Sequence, residues 1–279
     1  MTGPLAIAHL TTLEVAPLPF VEMAARIGYG AVGLRLHPAY AGSPFYEIPA
    51  GSTLMRVLRT ALADTGLSVH DIEFVVIDAA FDPASLAPVL DSAAELGAKR
   101  LSVCGDDTDK ARLVAKFAAV CDLAANVGLG VDLEFMPWRT IGSLPAAAAV
   151  VRDADRANGD VLVDALHLSR SGGVPADLRG LPHGVLRSVQ LCDAPAVRPA
   201  TTDGLIKEAR GGRLLPGDGD LPLGRLLAEL PEHAVLSVEV PNSGHPPELH
   251  ARRAYEATQR LLATSQTAQW KGAAATAKS

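Results

Sequence analysis

A single (β/α)8 TIM barrel is the fold class predicted for this chain, on three observations. Short β-branched or aliphatic runs alternate with longer Ala/Leu-rich amphipathic stretches from end to end, as βα units around a parallel sheet require. The alternation repeats eight times in ~250 residues with no internal linker or break in composition, which suits one barrel better than two doubly wound domains. The segment after the first strand, Thr11-Thr12-Leu13-Glu14-Val15-Ala16-Pro17, lacks the glycine-rich phosphate loop that a dinucleotide-binding sheet would place there.

The strands are expected at Leu5–Leu10, Ala31–Leu36, Ser68–Val76, Arg100–Cys104, Gly130–Phe135, Asp160–Asp164, Val185–Leu191 and Ala234–Val240. Each is a nearly continuous apolar run, the signature of strands covered on both faces. The helices between them announce their ends. Ser52-Thr53 precedes Leu54–Ala63 with Gly66 behind it, and Asp82-Pro83 opens a helix that closes near Gly97. Asp106-Asp107-Thr108 precedes Lys110–Ala125 with Gly128 after it, Ser143-Leu144-Pro145 starts an alanine-rich helix to about Ala157, and Pro247–Ala263 is the last helix. The barrel domain is thus expected over residues 1–264. The stretch 265–279, polar and alanine-rich with Trp270, is expected to be a flexible tail or to serve in a subunit contact. Cys192 to Asp220 follows the seventh strand without an apolar period and has the profile of a functional loop.

Composition narrows the function. The 279 residues carry 25 Lys plus Arg against 31 Asp plus Glu, a net charge of −6, opposite to the basic footprint of a nucleic-acid binder. No apolar run reaches the ~20 residues needed to span a bilayer, and MTGPLAIAHL has no basic segment ahead of an apolar one. The expectation is a cytoplasmic protein with no membrane or nucleic-acid partner. Cys104, Cys121 and Cys192 are an odd, widely spaced set with no zinc spacing, read as reduced and buried.

Active sites of such barrels lie at the carboxyl ends of the strands. Four consecutive strands end in oxygen ligands: Glu134 on the fifth, Asp164 on the sixth, Gln190 on the seventh and Glu239 on the eighth. A carboxylate inside an apolar strand costs several kcal/mol unless it is paired or metal-bound. Three converging carboxylates repel one another, and a divalent cation neutralises them; an all-oxygen set is hard and suits Mn²⁺ or Mg²⁺ better than Zn²⁺. The alternative, that single members are inward-pointing or ion-paired scaffold groups, weakens because all four fall at equivalent places. Arg198 and Arg213, in the loop after the seventh strand, can bind a carboxylate or phosphate as a bidentate fork or sit solvated at the surface. His9 and His37, with Arg35 beside it, end the first two strands as pocket or scaffold groups. Asp71, Glu73 and Asp106 rank lower as hydroxyl binders, and Trp138 is a wall or a loop anchor.

The spacing of Glu134, Asp164-Ala-Leu-His167, Val-Gln190-Leu-Cys-Asp193, the PGDGD loop at 216–220 and Val-Glu239 resembles the xylose-isomerase-like TIM-barrel family over roughly residues 5–264. That family includes ketose 3-epimerases, hydroxypyruvate isomerases, inosose and dehydroshikimate dehydratases and, more distantly, apurinic endonucleases. The resemblance implies a metal held by Glu134, Asp164, Gln190 and Glu239, with Gln190 standing where histidine is common. It also implies Glu134 and Glu239 as catalytic base and acid, and His167 on a substrate oxygen. Asp193, Arg198, Arg213, His9 and His37 complete the candidate substrate-binding set. The implied function is a divalent-metal-dependent isomerase or epimerase of a small polyhydroxy carbonyl substrate, by proton abstraction next to the carbonyl. The first rival is a dehydratase or lyase of the same kind. A phosphodiesterase, which would need many more histidines at strand ends, and a non-catalytic binding barrel follow. Pairing into a homo-oligomer through helical faces is a further implication, although no stripe marks an interface.

Overall fold

In the computed structural model, which describes residues 4–276 apart from 41 and 243, with side chains as far as Ser265, eight parallel strands close on themselves in sequence order. They are β1 Ala6–Ile7, β2 Ala31–Arg35, β3 Ser68–Ile77, β4 Arg100–Gly105, β5 Gly130–Glu134, β6 Gly159–Asp164, β7 Leu186–Leu191 and β8 Val235–Val238. Closure is made by β1, where Ile7 pairs with Val32 on one side and Val238 on the other. The first strand is much shorter than expected. It gives way after Ala8 to a 3₁₀ turn, His9–Thr12, because Thr11 Oγ1 donates to the Val238 carbonyl and the chain curls over the barrel end.

The helices are α1 Pro17–Ile27, α2 Thr53–Thr65, α3 Ala87–Glu95, α4 Lys110–Ala125, α5 Leu144–Ala154, α6 Ala165–Arg170, α7 Thr202–Lys207, α8 Leu223–Glu229 and α9 Pro247–Thr276. Their caps explain several boundaries. Ser52 Oγ accepts from the Met55 amide at 3.1 Å and starts α2, while Asp109, not Asp106 to Thr108, caps α4 through the Arg112 amide at 3.0 Å. Asp82 caps a 3₁₀ turn, Pro83–Leu86, that leads into α3. In the loop after β7, α7 and a wide π turn over Glu208–Gly212 occupy sequence that carries no apolar period. The last helix passes the expected end at Ala263 and runs to Thr276, so most of the predicted tail is helical; residues 277–279 lie outside the described residues. No described helix is long and apolar enough to cross a membrane. The three cysteines are buried and free.

Strand alternation sorts side chains between two environments. On β5, Val131 and Leu133 face outward into the core shared with helices, where Phe117 of α4 and Leu144 of α5 are buried. Gly130, Asp132 and Glu134 take the other face. The bonds they make fix that face as the barrel interior, because they join strands that are not neighbours in the sheet. Ser188 Oγ of β7 donates to Asp132 Oδ2 of β5 at 2.5 Å and lies 2.9 Å from His70 Nε2 of β3. Arg100 of β4 pairs with Asp132 and, at 2.5 Å, with Asp160 of β6. Gly130 makes room for this: a Cβ there would stand 1.7 Å from Arg100 Nη1.

Removing Arg100 leaves Asp132 and Asp160 buried without a counter-charge, a loss of about 3–5 kcal/mol by comparison with other broken buried pairs. Arg100→Met should lower the urea midpoint accordingly at pH 7. A variant as stable as the parent would mean that the two aspartates are protonated or solvated in the fold.

Candidate active site at the carboxyl end of the barrel

The same alternation that stacks charges in the lower barrel carries a second layer to the upper rim. Glu134 lies two residues above Asp132 on β5, Asp164 ends β6, Gln190 lies two residues above Ser188 on β7, and Glu239 follows β8. All four are buried, and Glu134, Gln190 and Glu239 line a cavity of ≈ 260 Å³. Asp164 doubles as the N-cap of α6, where its Oδ1 accepts from the His167 amide at 2.9 Å. That short helix sets the His167 ring into the cavity wall, with Nε2 3.5 Å from Glu134 Oε1 and its edge against Trp138.

Arg213 changes how the carboxylates read. Its side chain is only 2% exposed; Nη1 donates to Asp164 Oδ2 at 2.5 Å, and Nη2 lies 3.2 Å from Glu239 Oε2. It reaches this place because Asp193 and Leu214 exchange backbone hydrogen bonds at 2.8 Å, an antiparallel bridge that folds the loop back over the rim. Asp193 holds that loop from within. Its carboxylate accepts from the amides of Ala194, Gly217 and Leu221, at 2.8, 3.0 and 2.9 Å, and a Cβ on Gly219 would come within 2.5 Å of it.

Glu239 is tethered a second time, since Gln190 Nε2 donates to its Oε1 at 2.9 Å. Glu134 has no comparable donor among the described residues. Burial and the negative charges of Glu239 and Asp164 push its pKa well above the ordinary carboxylate range. Burial also raises Glu239, and although Arg213 pulls it down, Glu73 and Asp164 add to the rise and leave it at about 8. Burial alone would raise Asp164, but Arg213 and the His167 contacts outweigh it and hold the acid below its usual value. His167 is driven down by burial to about 4 and is a neutral imidazole near pH 7.

These residues fit a divalent cation. The buried Gln190 Oε1 has no hydrogen-bond partner, and the nearest basic group to the buried Glu134 carboxylate is the neutral His167 ring, 3.5 Å away. The donors are hard oxygens. Glu134, Asp164 and His167 also bring one potential ligand atom each within 4.8 Å of the others, so the imidazole stands close to the oxygen set.

Other candidates fall elsewhere. His9 is wholly buried, stacked between Phe20 and Tyr46, accepting from the Arg35 amide and within 2.9 Å of the Val15 carbonyl; it is a scaffold group. His37 sits 3.3 Å from the Phe74 carbonyl, away from the cavity lining. Arg198 Nε donates to the Arg170 carbonyl at 2.7 Å and braces the loop. Asp193 likewise spends its oxygens on backbone amides rather than on the cavity. Arg213 lines the cavity, but its donors are taken by protein carboxylates.

In their place the structure brings Arg35 and Glu73 to the cavity as a buried pair at 2.5 Å, with Arg139 and Arg210 from two loops. Arg35 and Glu73 are the two that their strand-end positions already marked in the sequence, Arg35 as a pocket or scaffold group and Glu73 as a lower-ranked hydroxyl binder. Nothing in the local sequence marks Arg139 or Arg210.

Residues 21–263 match the family model described as a xylose isomerase-like TIM barrel. A 3-dehydroshikimate dehydratase of Pseudomonas aeruginosa is 29% identical over 159 residues, 54% of this chain and 24% of that protein. The chain thus spans about a quarter of the length of that curated relative. Among solved structures, a fusion of a xylose isomerase-like TIM barrel with a 4-hydroxyphenylpyruvate dioxygenase superposes with a TM-score of 0.81 at 20% identity, over 98% of this chain and 45% of the other. An IolI protein with a bound zinc atom superposes with a TM-score of 0.76 at 18% identity, over 94% and 99%. At these identities the superpositions speak to the fold.

The raised carboxylates give the site a pH signature. A group whose folded pKa is raised binds more protons folded than unfolded, so stability falls as pH climbs from the ordinary value to the folded one. His9, His70 and His167 are shifted down and neutral in the fold, and unfolded imidazoles have lost most of their protons by about pH 7.5, so above that pH these histidines contribute little. Chelator-treated protein should therefore melt lower at pH 8.5 than at pH 7.5, by on the order of 3 °C. A melting temperature that rises across this window would contradict the assignment. Taken together, the closed eight-strand barrel, the acidic rim and the match over residues 21–263 establish that this chain belongs to the xylose isomerase-like TIM barrel family.

Proposed function

We propose that the chain is a divalent-metal-dependent enzyme that takes a proton from the carbon next to a carbonyl of a small polyhydroxy carbonyl compound and completes the reaction by expelling a β-hydroxyl as water. The supporting observation is the inequivalence of the two buried glutamates. Glu134 faces the cavity without a hydrogen-bond donor, whereas Glu239 is held by Gln190 at 2.9 Å and Arg213 at 3.2 Å. Epimerisation asks for two groups that exchange protons on opposite faces of one carbon. Loss of water can be served by one base that returns its proton to the departing hydroxyl.

In this reading Glu134 is that base. Burial beside Glu239 and Asp164 raises its pKa and with it its basicity toward a C–H proton. It takes the C–H proton, the electron pair becomes the new C=C bond, the C–O bond breaks, and the same proton leaves with the hydroxyl as water. Neutral His167 donates one N–H to a substrate oxygen, with Trp138 fixing its ring. Glu239, tethered by Gln190 and Arg213, has a positioning role and takes no proton from carbon. Glu134, Asp164, Gln190 and Glu239 would hold Mn²⁺ or Mg²⁺, which when bound supplies Lewis acidity to the substrate carbonyl. The name of the Pseudomonas aeruginosa relative, a 3-dehydroshikimate dehydratase, supports water loss over isomerisation.

The isomerase or epimerase outcome shares the first step and draws support from one observation: Glu239, at about 8, is a second buried acid on the same cavity. Metal-loaded protein should convert 3-dehydroshikimate to a conjugated, ultraviolet-absorbing product, and Glu134→Gln should lower kcat by about 10²–10⁴-fold, the range typical of a lost acid–base group. Solvent deuterium entering a ketohexose, with no turnover of 3-dehydroshikimate, would decide for the epimerase. Mn²⁺ should raise the melting temperature of the parent and not of Glu239→Gln; an equal shift in both would remove Glu239 from the ligand set.

A further inference from the structure

The cavity is lined by four arginines with different commitments. Arg213 and Arg35 are tied to carboxylates of the protein. Arg139 is half committed: Nη1 donates to Asp106 Oδ2 at 2.5 Å, while its Nε is buried with no partner. Arg210 is exposed and makes no ion pair or hydrogen bond among the described residues. Its interaction is with the Tyr40 ring, 5.0 Å from guanidinium carbon to centroid. A ring face consumes no N–H donor, so the whole fork remains available.

The wall nearby is apolar. Phe74, Met136 and Cys104 form a small cluster beside the main core, and Trp138 packs against both. The acidic groups Glu134, Glu239 and Glu73 all lie on the inner rim. An anion carried by a ligand is therefore repelled by the carboxylate side of the cavity, where Arg35 keeps one free Nε but is ion-paired with Glu73, and finds an uncompensated positive charge on Arg210. A carboxylate accepts both N–H groups of such a fork in charge-assisted bonds roughly twice as strong as those a neutral hydroxyl accepts.

We propose that Arg210, with Arg139 Nε, binds a carboxylate of the substrate, so that the site selects a cyclic hydroxy-carbonyl acid over a neutral sugar. The proposal rests on the enolising function above and assigns Arg210 as its specificity-determining residue. Tyr40 positions the guanidinium, and Asp106 orients Arg139 by holding its far end.

The test is calorimetric titration of Mn²⁺-loaded protein with 3,4-dihydroxybenzoate, the aromatic acid that loss of water from 3-dehydroshikimate yields, and with 3,4-dihydroxybenzamide, which keeps the ring and diols but not the charge. The parent should bind the acid at least about tenfold tighter than the amide, the lower range for a charge-assisted hydrogen bond. Arg210→Met should bring the acid's affinity down to that of the amide, and Arg139→Met should remove part of the preference. Arg210 is exposed, so its variant should melt with the parent, and melting checks this directly. Equal binding of acid and amide by the parent, or an acid preference that survives Arg210→Met, overturns the clamp and leaves the enolising function standing. Binding of neither ligand overturns the clamp together with the ring substrate class on which it rests.

Discussion

The guanidinium of Arg213 is the tie on which the rim of the barrel depends. Asp164 and Glu239 would otherwise be two neighbouring buried carboxylates without a counter-charge from the protein, and burying unpaired carboxylates costs several kcal/mol each. Arg213 offers Nη1 to one and Nη2 to the other. It can do so only because the Asp193–Leu214 bridge and the turn around Gly217 and Gly219 bring the loop back over the strands. The loop's role is thus architectural at its root and chemical at its tip. Neutralising Asp164 and restraining Glu239 also leaves Glu134 as the rim carboxylate that no arginine pairs, with only the neutral His167 ring beside it, and this asymmetry gives the cavity its direction.

A barrel interior is usually filled by layers of branched apolar side chains. Here two polar layers are stacked instead, and the period of two explains how both arise from the same strands. β5 contributes Asp132 below and Glu134 above, β6 contributes Asp160 and Asp164, and β7 contributes Ser188 and Gln190. The lower layer is closed: Arg100, Ser188 and His70 satisfy its acids. The upper layer is left incomplete, with Gln190 Oε1 and His167 Nδ1 buried and unpartnered. Incomplete satisfaction in a native interior usually marks a binding place.

The barrel was legible in the sequence because its outward strand faces and its helix caps are local signals. Val131, Leu133, Val161 and Val163 read as strands whatever lies inside, and Ser52 and Asp82 read as caps. Glu134, Asp164, Gln190 and Glu239 were legible for the related reason that a polar residue in an apolar strand needs a partner. Partners across the barrel were not. Position at a strand end does not say which way a side chain turns, so His9, which follows a strand of two residues and stacks on Phe20, looked equivalent to a pocket residue. Asp193 and Arg213 lie in one loop with similar local sequence signals, and only the antiparallel bridge decides that the first holds backbone amides and the second reaches the acids. The helix at 202–207 was invisible because its six residues carry no apolar period.

The lower layer of ion pairs has a consequence for traffic. Arg100, Asp132, Asp160, Ser188 and His70 fill the interior beneath the cavity with bonds that link β3 to β7, one of them, between His70 and Ser188, straight across the barrel. The barrel axis is therefore a blind well and not a conduit. Whatever is drawn down to Glu134 must retreat past Tyr40 and Arg210 by the way it entered, so a departing product and an arriving substrate compete for one doorway, and the site is reset only once that doorway has cleared.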